Sequence, residues 1–395
     1  MNHRRFAYYL LLIGCALPIL LLSVILFTGQ REISASENRA LAKFPVFSLN
    51  SFMDGSYQAD LEKALGDQYP GGERIKGFVL DAQNAVTKAE TAFLSAFAAP
   101  DARIYTEIAP GYYHFAGDEH RIVERPWAEG NDMEKLRRAA EPFNRAENVR
   151  KYLYFVRNSR SQDFTEPSSG NPVFDHVCAA YQADGYGCFS AADYQEYCRL
   201  FYQTDHHWNA QGADRAYREL VALLGIADEP VQAEGERSFD VVFNGSYARQ
   251  TKDLCADEKF SVLTYSLPPM KLSLNGKRGQ YGHQSLYERN RYPVDELRNH
   301  YAYYYGGDFG EIIIENPKKD TGRLLVLADS YSNPLNLLLA SHYSRTYIID
   351  LRYYQRDMGQ AFDLNQYIAE HQADTLLMLG DIALFADAQE EEAGI

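Results

Sequence analysis

The sequence contains no Cys-x-x-Cys pair, no internal repeat and no low-complexity block. Without closely spaced cysteine pairs a structural zinc site has little support, because such sites collect their ligands at short spacings. Basic residues are also scarce. Lys and Arg total 39 against 54 Asp and Glu, a formal net charge of −15. That balance argues against nucleic acid as a partner and against adhesion to anionic lipid. Charge is missing altogether from Phe6 to Phe27, where Leu, Ile, Val, Ala and Tyr dominate.

That uncharged run is about 22 residues, enough at about 1.5 Å rise to cross a hydrocarbon core of about 30 Å. Arg4 and Arg5 precede it, which favours a cytoplasmic N-terminus and an exported remainder. Pro18 is tolerable as a kink in a membrane helix. The expectation is a cytoplasmic tail over residues 1–5, a single transmembrane anchor over 6–28, a juxtamembrane linker over 29–43 and one exported domain over 44–395. Two rivals are weaker. A cleaved signal peptide has an apolar run of about 7–15 residues, and its cleavage site here would be Ser34-Ala35-Ser36, beyond Arg31 and Glu32. Leu12-Ile13-Gly14-Cys15 resembles a lipoprotein processing site, yet the apolar run continues well past Cys15.

The exported part, 46% hydrophobic and 24% charged over the whole chain, has ordinary globular composition. Its many tyrosines (30 in the chain) offer flat apolar faces with polar rims, suited to sugar rings as well as to cores. Cys178, Cys188, Cys198 and Cys255 lie outside the span. In an exported domain they are expected to form two disulfides, with three connectivities open. Three of them surround the turn Asp184-Gly185-Tyr186-Gly187, where a bridge would staple a loop.

Apolar spacing predicts helices over residues 51–65 and 73–97 and a mostly helical 133–147 interrupted by Pro142. Residues 101–131 read as short strands and loops, and 151–157 as a buried strand. Helices follow over 191–202 and 210–224, the second capped by Asn209. Strands over 323–327, 345–350 and 374–379 alternate with helices over 335–340 (capped by Asn333, with Pro334 in its first turn) and 361–370. This alternation implies an α/β fold, a three-layer sandwich around a mostly parallel sheet. Chemistry in such sheets collects at the carboxyl ends of strands, and Ser330 falls at one.

Two segments carry the chemistry. Thr204-Asp205-His206-His207-Trp208-Asn209 supplies a carboxylate and an imidazole; Ala328-Asp329-Ser330-Tyr331 supplies a hydroxyl between a strand and a helix. A serine becomes nucleophilic when a base takes its proton and a carboxylate orients that base. In an extended segment residues two apart share a side, so Asp205 pairs with His207 while His206 points away. Ser330 taken alone is a weak signal, since many serines after strands are turn residues. Metal binding is disfavoured, because adjacent histidines do not easily face one ion and no third ligand is evident. No cofactor is expected.

Several further segments give the chain its likeness to a known family. Ser36-Glu37-Asn38-Arg39 with Phe44-Pro45, Asp67-Gln68-Tyr69-Pro70-Gly71, Asp205-His206-His207-Trp208, Phe243-Asn244-Gly245-Ser246-Tyr247, Tyr305-Gly306-Gly307-Asp308, Asp329-Ser330-Tyr331 and Asp350-Leu351-Arg352-Tyr353-Tyr354 run in order along the chain. Together they resemble the DHHW proteins of bacteria, relatives of alginate O-acetyltransferase accessory proteins with an SGNH-hydrolase-like domain. The resemblance implies a permuted motif order, with Ser330 as nucleophile, His207 as base, Asp205 as orienting group, and Asp329 and Trp208 as structural members of their motifs. It implies an O-acetyltransferase or acetylesterase acting on a cell-surface polysaccharide at the bacterial membrane, with a membrane-bound O-acyltransferase as acetyl donor. Ala328 replaces the usual glycine, Asp308 stands where asparagine is expected, and Leu379-Gly380-Asp381 lacks the oxyanion-hole asparagine of SGNH hydrolases. Tyr331, Arg352, Gly306, Gly307 and Asp381 are therefore the candidates for substrate or oxyanion contacts. The alternative is a catalytically weak polysaccharide-binding or assembly protein that keeps the fold.

Overall fold

The structure, a computed structural model, describes residues 41–69, scattered helical residues between 78 and 89, 105–126 without 116, 132–164, 172–281, and 284–386 without 293 and 296. The expected tail and membrane span lie outside these residues, as do most of the linker and most of the helix expected over 73–97. Among the described residues no helix is long and apolar enough to cross a membrane.

Three strands, β1 (Tyr105–Ala109), β2 (Tyr112–Phe115) and β3 (Asp118–Glu124), form a small antiparallel sheet. The main sheet begins with β4 (Arg150–Val156) and β5 (Gly185–Phe189). A two-stranded ribbon, β6 (Ala233–Val242) with β7 (Lys259–Tyr265), stands apart from it. The main sheet continues with β8 (Lys271–Leu274), β9 (Lys277–Gly279), β10 (Glu311–Glu315), β11 (Arg323–Ala328), β12 (Arg345–Ile349) and β13 (Thr375–Gly380). Its order is β5-β4-β13-β11-β12-β10-β8-β9. The five strands from β5 to β12 are parallel, and β10, β8 and β9 extend one edge antiparallel.

The parallel core follows from its sequence. Leu324, Val326 and Ala328 of β11 face one hydrophobic cluster, and Leu325 and Leu327 face the other. A strand apolar at every position has both faces to bury, and helices cover both. Ala210–Leu223 and Asn336–Ala340 pack on the first face. Met133–Asn144, Pro172–Ala180, Leu364–His371 and Ile382–Ala386 pack on the second. The expected three layers are present, with an antiparallel edge the alternation did not reveal. Pro142 sits two residues before the end of its helix, so the bond its missing N–H forgoes falls in the last turn and the helix ends soon after.

Two local expectations change. The helix expected over 191–202 is confined to Tyr194–Leu200, capped by Asp193. After β11 the chain makes a short 3-10 turn, Ser330–Ser332, before the helix Asn336–Ala340. That turn is capped by Asp329, whose carboxylate accepts the Tyr331 N–H at 2.9 Å; the helix itself starts after Leu335 without a side-chain cap, so Asn333 does not cap it. Asn333 instead donates its amide to Asp308 at 3.3 Å.

The disulfides expected among Cys178, Cys188, Cys198 and Cys255 are not formed; all four side chains are thiols. Cys188 packs toward the second cluster, whereas the helix bearing Cys198 packs on the first, so the sheet separates them. Cys255 lies against a third site, with Ile108, Ile122 and Tyr247. Burial pushes the Cys178 thiol up to about 11, which keeps it protonated and unreactive near neutral pH.

Candidate active site

The carboxyl ends of four neighbouring strands place the site. Asn158 follows β4, Asp381 follows β13, Asp329 and Ser330 follow β11, and Asp350 follows β12. The fifth contribution, Asp205 to His207, comes from the long excursion between β5 and β8. Arg121 of β3 fixes the approach to that loop, donating to the carbonyls of Cys198 (3.0 Å), Phe201 (3.1 Å) and Tyr202 (2.7 Å). The Tyr202 N–H then reaches the His207 carbonyl at 3.2 Å, closing a tight loop before the Asn209-capped helix.

Inside the loop Asp205 is a hub. Its Oδ1 accepts the His207 backbone N–H at 3.0 Å and lies 2.6 Å from His207 Nδ1. Its Oδ2 accepts the Ser246 N–H at 2.6 Å. The pairing of Asp205 with His207 matches the expectation, but the segment is a turn and not an extended strand. The backbone bond from His207 to its own orienting carboxylate makes the pairing possible there. Burial alone would raise the Asp205 pKa; the neighbouring His207 and His206 rings and the hydrogen bond to His207 outweigh it and hold the carboxyl below the usual range. An ionised carboxylate only accepts, so His207 Nδ1 carries the proton and Nε2 presents a lone pair. That Nε2 lies 2.7 Å from Ser330 Oγ, across 123 residues of sequence.

His206 is not idle. Its Nδ1 lies 2.9 Å from Ser246 Oγ, and its ring centroid is 3.9 Å from that of His207. Burial, then the neighbouring His207, pushes its pKa well down, so it remains neutral beside the pair. Asp205, His206 and His207 bring three donor atoms within 4.8 Å of one another. Both ring nitrogens of His207 are already engaged, so an ion taken up there would break the link to Ser330.

The remaining candidates are placed differently. Tyr331 is 1% exposed and does not face a substrate. Its N–H is bound by Asp329, and its hydroxyl donates to the His206 carbonyl while accepting from Asn158 at 2.7 Å. The N–H groups of Gly306 and Gly307 both donate to the Ala302 carbonyl, at 2.9 and 2.7 Å, so neither is available to an oxyanion. Asp381 is buried and offers a carboxylate to Asn158 (2.9 Å) and Arg160 (3.1 Å). Arg352 is the exception. Its Nε and Nη2 bind Asp350 at 2.9 and 2.6 Å, its side chain is half-exposed, and Nη1 makes no hydrogen bond among the described residues. Asp329 serves structure: besides the cap, its Oδ2 accepts the Asp381 N–H at 3.4 Å, and burial followed by the Asp381 charge raises its pKa. Trp208 is fully buried, edge-on to Phe189 and Tyr331.

Sequence reasoning missed Asn158, Arg160, Ser246 and Tyr301. Asn158 and Arg160 follow a strand end within Arg157-Asn158-Ser159-Arg160, a signal open to the same rule that singled out Ser330. Gly245 had appeared only as part of a motif. A Cβ there would lie 2.3 Å from Asp205 Cβ and 2.5 Å from Thr204 O, so only glycine lets the Gly245–Ser246 turn approach the carboxylate.

Residues 189–349 match the model of the DHHW protein family, a span holding the base loop, the nucleophile turn and strands β6 to β12. Over this stretch the chain is similar to the DHHW family. No curated protein sequence matches the chain. Among solved structures, a DHHW family protein from Eubacterium siraeum DSM 15702 is 15% identical, with a TM-score of 0.53 over 72% of this chain and 96% of that one. Bacillus cereus PatB1 is 19% identical, with a TM-score of 0.50 over 68% of this chain and 95% of PatB1. The O-acetyltransferase domain of Pseudomonas putida AlgJ overlaps more loosely, at 11% identity and a TM-score of 0.38 over 70% of this chain and 94% of the domain. At these identities the first two establish a shared fold for the DHHW region and its surroundings.

Proposed function

We propose that the chain is a serine-dependent O-acetyltransferase or acetylesterase acting on a cell-surface polysaccharide. One observation carries this reading: the relay from Asp205 Oδ1 through His207 to Ser330 Oγ, at 2.6 and 2.7 Å, behind a half-buried hydroxyl at a strand end. In the first half-reaction His207 Nε2 takes the Ser330 proton as Oγ attacks the acetyl carbonyl. The tetrahedral oxyanion collapses to acetyl-Ser330, and the leaving group departs with the proton from Nε2. In the second, a sugar hydroxyl or water gives its proton to Nε2 and attacks the acetyl carbon, restoring Ser330. Arg352 Nη1 is the side-chain donor assigned to the oxyanion, an interaction worth about 10²–10³ in rate for one well-placed donor.

The acetyl group and the polysaccharide rest on the motif resemblance. So do anchorage at a bacterial membrane by residues 6–28, with the catalytic domain outside, and supply of acetyl by a membrane-bound O-acyltransferase. A second reading, a non-catalytic polysaccharide-binding or assembly protein, is favoured by the engaged N–H groups of Gly306, Gly307 and Tyr331, which leave few oxyanion donors.

Hydrolysis of a chromogenic acetyl ester by the full-length protein separates the two. Ser330→Ala and His207→Ala are each expected to lower the rate by about 10³ or more, and a sulfonyl fluoride is expected to label Ser330. A rate indifferent to both substitutions removes the catalytic reading. An unlabelled, inactive protein that still binds the glycan establishes the second.

A further inference from the structure

Tyr301 touches both the base and the nucleophile. It belongs to the helix His300–Tyr305, capped by Asn299 and seated by the aromatic cluster of Tyr202, Phe239, Phe243, Phe260 and Tyr287. Its ring lies nearly parallel to the His207 imidazole, with centroids 4.2 Å apart and an interplanar angle of 18°. Its hydroxyl donates to the Ser330 carbonyl at 2.9 Å. Burial keeps that phenol protonated, so it remains a donor. Resting on the catalytic reading above, we propose that Tyr301 is a positioning residue. Its ring face stabilises the His207 imidazolium that forms when Ser330 is deprotonated, and its hydroxyl fixes the nucleophile turn against the base.

The physical basis is the negative face of an aromatic ring, which attracts a cation stacked on it and is indifferent to the neutral imidazole. Other groups act on the same imidazole. Asp205 binds Nδ1, His206 lies beside the ring, and the Tyr331 ring stands at 5.0 Å. Arg249 acts on Asp205, and Arg160 and Arg352 act on His206. Of these the carboxylate favours the cation, the arginines oppose it, and His206 is neutral. Tyr301 adds attraction on a face that would otherwise contribute only desolvation.

Two variants divide the roles. Tyr301→Leu keeps an apolar cover over His207 but removes the quadrupole and the hydroxyl; Tyr301→Phe removes the hydroxyl alone. Losing stabilisation of the imidazolium lets His207 give up its proton more readily. The acid limb of kcat/KM for acetyl-ester hydrolysis is therefore expected to move to lower pH in Tyr301→Leu, by roughly half to one and a half units. In Tyr301→Phe the limb stays where it is and kcat falls several-fold. A role confined to packing lowers activity or stability without moving the limb, so coincident limbs for wild type and Tyr301→Leu overturn the proposal. The ¹⁵N shifts of the His207 imidazole followed against pH give the same comparison without turnover. A protein with no esterase activity thus defeats the catalytic reading, while the titration still decides what Tyr301 does to its neighbour.

Discussion

Gly245→Ala isolates the close approach on which Asp205 depends. Gly245 has φ −76° and ψ −164°, a conformation alanine adopts freely, so the substitution introduces no backbone strain. What it introduces is a methyl group 2.3 Å from Asp205 Cβ, 2.5 Å from Asp205 Oδ2 and 2.5 Å from Thr204 O. Ordinary carbon contacts need more than about 3.4 Å, so the turn or the carboxylate must retreat by about 1 Å. None of the three atoms has much freedom: Thr204 O is backbone, and Asp205 is held by Ser246 N–H and His207. Overpacking of this kind costs about 1–3 kcal/mol of stability. A shift of about 1 Å in a group that orients the base costs about 10²-fold in rate. Urea denaturation and acetyl-ester hydrolysis read the two effects on one preparation. Gly66→Ala is the control, since its Cβ meets nothing within 4 Å inside the helix Ser56–Gln68. There the same change is expected to add about 0.5–1 kcal/mol and leave the rate alone. A Gly245→Ala protein with wild-type midpoint and wild-type rate refutes the argument.

Two further outcomes follow from buried charge. Arg160 bridges Glu124 (2.5 Å) and Asp381 (3.1 Å), so Arg160→Ala leaves two carboxylates without their cation and is expected to cost about 3–5 kcal/mol by urea denaturation. Glu258 is pushed up to about 7 by burial. Its folded pKa lies above the unfolded value, so between about pH 4.3 and 7 the fold holds a proton that the unfolded chain releases. Stability is therefore expected to decline as pH rises through that window, and denaturation midpoints for Glu258→Gln are expected to show the decline removed.

Much of this was legible because it was local. An unbroken apolar run such as Leu324–Leu327 needs cover on two sides, and that alone places Ser330 at a strand end. Asn209 declares its helix, and the observed cap accepts from Gln211 and Gly212 N–H as such a residue should. The illegible parts were set by distant partners. Asn333 looked like a helix cap, but the helix starts after Leu335 without a side-chain cap, and Asp308 takes the Asn333 amide. Gly306 and Gly307 looked like oxyanion donors, but they terminate the helix His300–Tyr305 with positive φ and return their N–H groups to Ala302. Nothing adjacent to Gly245 explains it, since its reason is Asp205, forty residues earlier. Tyr301 was one tyrosine in the run Tyr301-Ala302-Tyr303-Tyr304-Tyr305, and only the third dimension distinguishes it from its neighbours.

The phenol of Tyr331 has a bearing on how the molecule matures. It binds the His206 carbonyl and receives the Asn158 amide, so one side chain knots together a strand end laid down early, a loop made midway and a turn made late. Contacts spanning such stretches of sequence form slowly, after the chain has paid the entropy of closing them. A polypeptide with its central sheet assembled but this knot untied would retain native-like circular dichroism and hydrolyse no ester. Recovery of turnover during refolding should therefore lag behind recovery of secondary structure.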